Sequence, residues 1–263
     1  MFSKFIFTPD ASFVNNIKGS ISSGSCLYNK QQKEMEDSLS NYVLKDGTID
    51  GSELKKNWFS ISEKDIFISH SHKDLDEVKA FAGWLYDTFK LTSFIDSCCW
   101  GHCDKLLKQI DNHYCRNSEN IYSYETRNRT TSHVHMMLST ALSEMMDKSE
   151  CVIFFKTPNS IKVVDEITDK SGNKTESPWI YHELFMSSIL PPKLNRLQPV
   201  SLTESINKMR DSLPVIRYDV SSYLNDLTLL TEDDLLRWEM LIKHHPKRFS
   251  HKLDYLYSVK KNQ

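Results

Sequence analysis

Glycine and proline are scarce in this chain of 263 residues, at 7 and 8. So few residues able to turn the backbone tightly argue against an all-β barrel or sandwich, which needs many such turns. Positive charge is not in excess either. The formal net charge is −2, so bulk electrostatics gives no reason to expect nucleic acid as a partner. No apolar run reaches bilayer-spanning length, and the apolar start "MFSKFIF" is too short for a signal segment. Gly-x-Gly-x-x-Gly, P-loop and Gly-x-Ser-x-Gly motifs are all missing, which removes the standard dinucleotide cradle, NTP cradle and hydrolase elbow. These absences predict a soluble cytoplasmic protein, helix-rich or α/β, with no membrane partner.

Cysteine is present but patternless. Cys26, Cys98, Cys99, Cys103, Cys115 and Cys151 include an adjacent pair and no regular spacing, so they are expected as free thiols rather than a disulfide framework. Cys98, Cys99, His102 and Cys103 crowd one segment, with His133 and His135 downstream. No second pair stands at zinc-finger spacing, and scattered buried thiols are the plainer reading.

Residues 1–60 are polar and rich in Ser, Asn and Lys, and are expected to form a partly helical N-terminal extension packed on the main domain, or a contact surface. Met35, Leu39, Tyr42 and Val43 in "KQQKEMEDSLSNYVL" fall at helical spacing. "KDGTIDGSEL" has Gly47 and Glu53 six residues apart, as in a calcium loop. The first and third ligand positions would then be Tyr42 and Leu44, so an ordinary turn is expected.

From residue 61 onward strand and helix alternate. "DIFIS", "TSFID" and "ECVIFF" read as buried strands, and "LPVIRYDV" as a further one. The helices are "DLDEVKAFAGWLYDTFK", "DKLLKQIDNHY" after a loop "SCCWGHC", "HVHMMLSTALSEMMDKS", "WIYHELFMSSIL" entered at Pro178, and "TEDDLLRWEMLIKHH" capped by Thr231. Polar insertions fall near 115–132 and 160–177, and the C-terminal end is helical. This order predicts an α/β domain over 61–263, a central parallel sheet with helices on both faces.

"DIFISHSHKD" admits two readings. His70, His72 and Asp74 stand at the alternate spacing by which metal-dependent hydrolases gather ligands from an extended segment. Leu75 follows where such sites place another His, the chain is Gly-poor, and a long amphipathic helix comes next. The second reading puts the stretch at the carboxyl end of a strand, where open α/β sheets bind ligands. His70, Ser71 and His72 then offer polar contacts, and the loop after the second strand brings Asp96 and Trp100, an indole suited to stacking.

The second reading is joined by a resemblance. "DIFISHSHKD", "SFIDSCCWGHCDKLLKQI", "MDKSECVIFFKTPNS" and "SPWIYHEL" resemble, in order, the boxes of Toll/interleukin-receptor (TIR) domains, especially bacterial ones. The likeness covers roughly residues 62–190 and implies a flavodoxin-like fold. It also implies an enzyme that cleaves the N-glycosidic bond of NAD, with NAD as substrate and no separate cofactor or metal. In such enzymes the glutamate four residues after the tryptophan is catalytic, and that role carries to Glu183, with Trp179 beside it on one helical face. His70, Ser71, His72, Asp96, Trp100 and Trp179 would line the substrate pocket. The family's setting adds a homo-oligomer, a downstream effector that senses the product, and a place in antiphage defence. Of the receptor-type BB loop only Gly101 survives, which argues against animal-type adaptor signalling. A non-enzymatic nucleotide-binding or assembly module is the alternative; for Glu183 itself the plain reading is an ordinary surface residue of a helix first turn.

Overall fold

The structure, a computed structural model, describes residues 3–34, 39–59, 63–118, 121–164, 172–191 and 217–261. It opens with β1 (Ser3–Phe7), α1 (Ala11–Ile17), α2 (Ile21–Glu34) and α3 (Gly51–Trp58). Next come β2 (Ile66–Ser69), α4 (Leu75–Phe89), β3 (Ser93–Ile95) and α5 (Ser97–Ile110). A short hairpin of β4 (Arg116–Ser118) and β5 (Ile121–Tyr122) leads into the long α6 (Tyr124–Lys148), and β6 (Cys151–Phe155) follows. After β7 (Lys162–Val164) and β8 (Gly172–Thr175) comes α7 (Pro178–Ile189). The chain closes with β9 (Tyr218–Asp219), α8 (Ser221–Asn225), β10 (Thr228–Leu230), α9 (Glu232–His244) and α10 (Lys252–Lys261).

Five strands form one sheet in the order β3-β2-β6-β1-β10, every neighbouring pair parallel. Successive residues of a strand point to opposite faces, yet every residue of β2 and β6 is buried. Both faces are therefore covered, and "IFIS" and "CVIFF" are apolar throughout because neither meets water. This is a mixed α/β architecture of the flavodoxin-like kind, as the alternation of elements predicts. Phe7 packs between sheet and helices, its ring 5.3 Å from Phe81 and 5.9 Å from Phe155.

The fold departs from expectation at several places. Residues 1–60 are expected to lie outside the main domain, whereas β1 sits inside the sheet, in register with β6 from Ser3↔Cys151 to Phe7↔Phe155 and with β10 on its other side. "KFIF" is a short apolar run, and its length disguises a fully bonded inner strand. Helix α2 begins upstream of the expected helix, whose Met35 lies outside the described residues. It packs on α4 so closely that a Cβ on Gly83 would stand 2.0 Å from Ser20 O, and one on Gly24 1.7 Å from Lys79 O. "SCCWGHC" is expected as a loop and is instead the first half of α5. The segment near 115–132 becomes the β4–β5 hairpin and the opening turns of α6.

The strand expected in "LPVIRYDV" is described only at Tyr218–Asp219, which joins β7 and β8 in a separate antiparallel sheet. The segment expected as an insertion near 160–177 supplies β7 and β8, and residues 165–171 of it lie outside the described residues. Thr231 caps α9 as expected, in a reciprocal pair with Asp234. The "KDGTIDG" segment is a turn, with Gly47 at φ +82° and Asp46 Oδ1 accepting from Thr48 N and Oγ1.

Candidate functional site

The chain leaves β2 outward to the edge strand β3, then returns across β2 to β6. Sheets of this type form a ligand crevice beyond the strand ends where the order reverses. Ser69 ends β2, His70 follows it, and Asp96 follows β3. Helix α7, which comes after β6 in the chain, delivers Glu183 to the same place.

Glu183 occupies a core position. Ile180, Glu183, Leu184 and Ser187 form the inward stripe of α7, and Glu183 is 0% exposed. The start of the helix is set by Ser177, whose hydroxyl accepts from Ile180 N at 3.2 Å, and by Pro178 in the first turn. A carboxyl is costly in such a stripe unless it is partnered or neutral. Ser69 Oγ donates to Glu183 Oε2 at 2.5 Å, joining residues 114 apart in sequence. The plain reading of Glu183 as a surface residue is therefore overturned.

Asp96 and His70 are also 0% exposed. Asp96 Oδ2 accepts from the His70 backbone N at 3.3 Å, and Asp96 Oδ1 lies 2.5 Å from His70 Nδ1. Asp96 is well placed to cap α5, as Asp commonly does, but its side chain makes no cap hydrogen bond. It is turned into the cluster instead.

Burial pushes the carboxyls of Asp96 and Glu183 upward. For Asp96, hydrogen bonds from His70 N, Glu183 and Ser97 N oppose the rise, whereas for Glu183 the neighbouring Asp96 adds to it. Asp96 is pushed up to about 8 and Glu183 well above its ordinary value, so burial drives both carboxyls toward the protonated form at pH 7. Burial lowers the His70 imidazole to about 4, against the pull of Glu183 and Asp74, so it is neutral at pH 7. Glu183 Oε1, Asp96 Oδ1, both ring nitrogens of His70, Ser97 Oγ and Trp100 Nε1 are buried without a hydrogen-bond partner. Unpaired polar atoms so concentrated mark a place where a ligand or water completes the bonding.

Trp100, on the first turn of α5, lies over His70 with ring centroids 6.0 Å apart and planes at 14°. It is half-buried and also faces His72, which is exposed. Ser71 stands at the start of the turn before α4, its carbonyl accepting from Asp74 N. Trp179 is not with the cluster: its ring meets His135 of α6 edge-on at 5.6 Å. A helical spacing of four places Trp179 and Glu183 on neighbouring stripes, but Glu183 turns to the sheet and Trp179 to α6.

Sequence reasoning missed Ser69, although its place as the last residue of a buried strand pointed to it. It also missed the brace across the crevice. Asp74 Oδ2 and Oδ1 accept from Thr157 Oγ1 and Asn159 Nδ2, each at 2.5 Å, tying the loop after β2 to the loop after β6. These bonds correct the metal reading of His70, His72 and Asp74. The carboxylate of Asp74 is committed, His70 turns to Asp96, His72 faces solvent, and no group of three metal-capable side chains forms among the described residues. Cys98, Cys99 and Cys103 are buried in α5 with their thiols pushed up by burial, which keeps them un-ionised. A groove of about 790 Å³ between α3 and α6, lined in part by Lys55, His133 and Met136, shares no residue with the cluster.

No family model matches this chain, and neither a curated protein nor a solved structure matches it. No helix among the described residues is long and apolar enough to cross a membrane.

Proposed function

We propose that the protein cleaves the N-glycosidic bond of NAD, releasing nicotinamide, with Glu183 as the essential carboxyl. The observation that carries this reading is the convergence of Ser69, His70, Asp96 and Glu183, from three separate segments, at the carboxyl end of the sheet with Glu183 fully buried. A glutamate at a core position is difficult to explain by stability, because an apolar residue there would bind its neighbours at lower cost.

The chemistry fits the electrostatics. Loss of nicotinamide builds positive charge on the ribose, and a carboxylate in a water-poor site stabilises that charge strongly. Glu183 holds its proton in the closed site, and NAD brings a pyridinium cation beside it. A neighbouring positive charge lowers a carboxyl pKa, so the substrate itself promotes the ionised form. Entry requires the site to open, since Glu183 and His70 are both 0% exposed, and Trp100 lies stacked on His70. The freed indole then stacks on the substrate's planar base.

Purified protein incubated with NAD should release nicotinamide, and Glu183→Gln should lower the rate by roughly 100-fold or more. Equal turnover by the two proteins contradicts the role of Glu183. The mass of the second product distinguishes ADP-ribose from a cyclised derivative able to act as a signal. The complete closure of the site favours one second reading, a non-enzymatic module that binds nucleotide or assembles with like domains. NAD binding without nicotinamide release, over the protein concentrations at which it self-associates, supports that module instead.

A further inference from the structure

Glu183 reaches the site from a helix held at both ends. Ser177 Oγ accepts from Ile180 N at the start of α7, and Lys4 Nζ of β1 donates to the Ser187 carbonyl near its end at 3.2 Å. The backbone of α7 is placed in this way, but the glutamate side chain keeps rotatable bonds beyond that backbone. Ser69 supplies the missing constraint. It ends β2, pairs with Phe154 of β6 across the parallel ladder, and is buried. Its hydroxyl donates to Glu183 Oε2 at 2.5 Å, whereas Glu183 Oε1 is buried with no hydrogen-bond partner. The three residues before Ser69 in β2 are apolar. Stability alone does not call for a hydroxyl after them, because an apolar pair of similar shape at 69 and 183 would be nearly neutral or better.

We propose that Ser69 is the positioning residue of Glu183, clamping Oε2 from the end of the sheet so that Oε1 is left for the reacting ribose. The inference rests on the glycosidic-cleavage reading above. The same hydroxyl has a second effect. A donor on a carboxyl oxygen favours the ionised form, so Ser69 opposes the rise that burial and Asp96 impose on Glu183. Asp96 after β3, His70 after β2 and Cys99 of α5 also share an electrostatic interaction with Glu183. A substitution at Ser69 leaves all three in place, so any change it makes to the titration of Glu183 reports the hydroxyl.

Ser69→Ala removes the donor and little else. In the nicotinamide assay kcat should fall roughly 10- to 100-fold, the range for a hydrogen bond to a charged group, with KM changed much less. The fall should be greatest at low pH and shrink as pH rises. Without its donor Glu183 ionises at higher pH, and the acid limb of the rate profile moves with it. A loss of packing alone would scale the rate equally at every pH. Ser69→Cys keeps the shape and weakens the donor, so it should move the limb the same way by less, and it carries the test if the alanine variant does not fold. The double variant Ser69→Ala, Glu183→Gln should be no slower than Glu183→Gln alone, since the hydroxyl acts only through that carboxyl. A slow Glu183→Gln beside a Ser69→Ala near full rate overturns the inference and leaves Glu183 its role. So does a fall that is the same at every pH, or losses that add in the double variant. A wild type that releases no nicotinamide, assembled or not, removes the glycosidic reading and this role with it.

Discussion

At the scale of single residues, the cluster is defined by groups used against their habits. A glutamate fills a core position, an aspartate declines to cap the helix it precedes, and a histidine is neutral with neither ring nitrogen hydrogen-bonded. Their titration has a consequence for stability. Folded Glu183 keeps its proton well above the ordinary 4.5, whereas the unfolded chain releases it near that value. Over that window the folded state binds more protons than the unfolded chain, so stability falls as pH rises through it. His70 acts oppositely, gaining stability only between about 4 and its ordinary 6.5. Above pH 6.5 the carboxyl effect stands alone, so Tm is expected to drop between pH 6.5 and 8. Glu183→Gln has no proton to lose there and should lessen that drop, leaving the part due to Asp96, as thermal melts at the two pH values would reveal.

Elements carry the next level of constraint, and here the sequence is legible unevenly. β2, β3, β6, α4, α7 and α9 were readable because apolar runs and caps act locally: "IFIS" and "CVIFF" need only burial, and Thr231 or Ser177 with Pro178 marks a helix start in a few residues. Helix α5 was misread because Gly101 and a polar run suggest a loop. Asp96 already has helical φ and ψ, so the helix starts directly at the end of the strand. Glu183 was legible through its resemblance, but its burial was not, since only the partner Ser69, 114 residues away, decides which way it faces. The contact between α2 and α4 was equally hidden, because a glycine in a helix does not announce the backbone that it meets. A Cβ at position 83 would collide with the Ser20 carbonyl at 2.0 Å. Gly83→Ala should therefore destabilise the fold by roughly 1–3 kcal/mol despite alanine's better helix propensity, as denaturant unfolding would measure.

The whole molecule is organised around β1, the strand least visible in the sequence. It lies between β6 and β10 in the parallel sheet, so Ser3–Phe7 join the edge strand β10 to β6, the strand that borders the crevice. Removing residues 1–8 should abolish cooperative folding, because it leaves β6 and β10 without their shared partner. A truncated chain that melts like the full one would return these residues to the status of an appendage. The brace from Asp74 to Thr157 and Asn159 ties the loops at the carboxyl end of the sheet, where the site lies. The sheet supports a closed cluster, which the proposed cleavage requires to open for its substrate.

That dependence converges on Glu183. The most direct measurement is nicotinamide release from NAD by the wild type and by Glu183→Gln, side by side, with thermal melts showing both folded. The account predicts turnover by the wild type and a rate at least roughly 100-fold lower in the folded variant. Equal rates, or no release by the wild type in any assembly state, would contradict it.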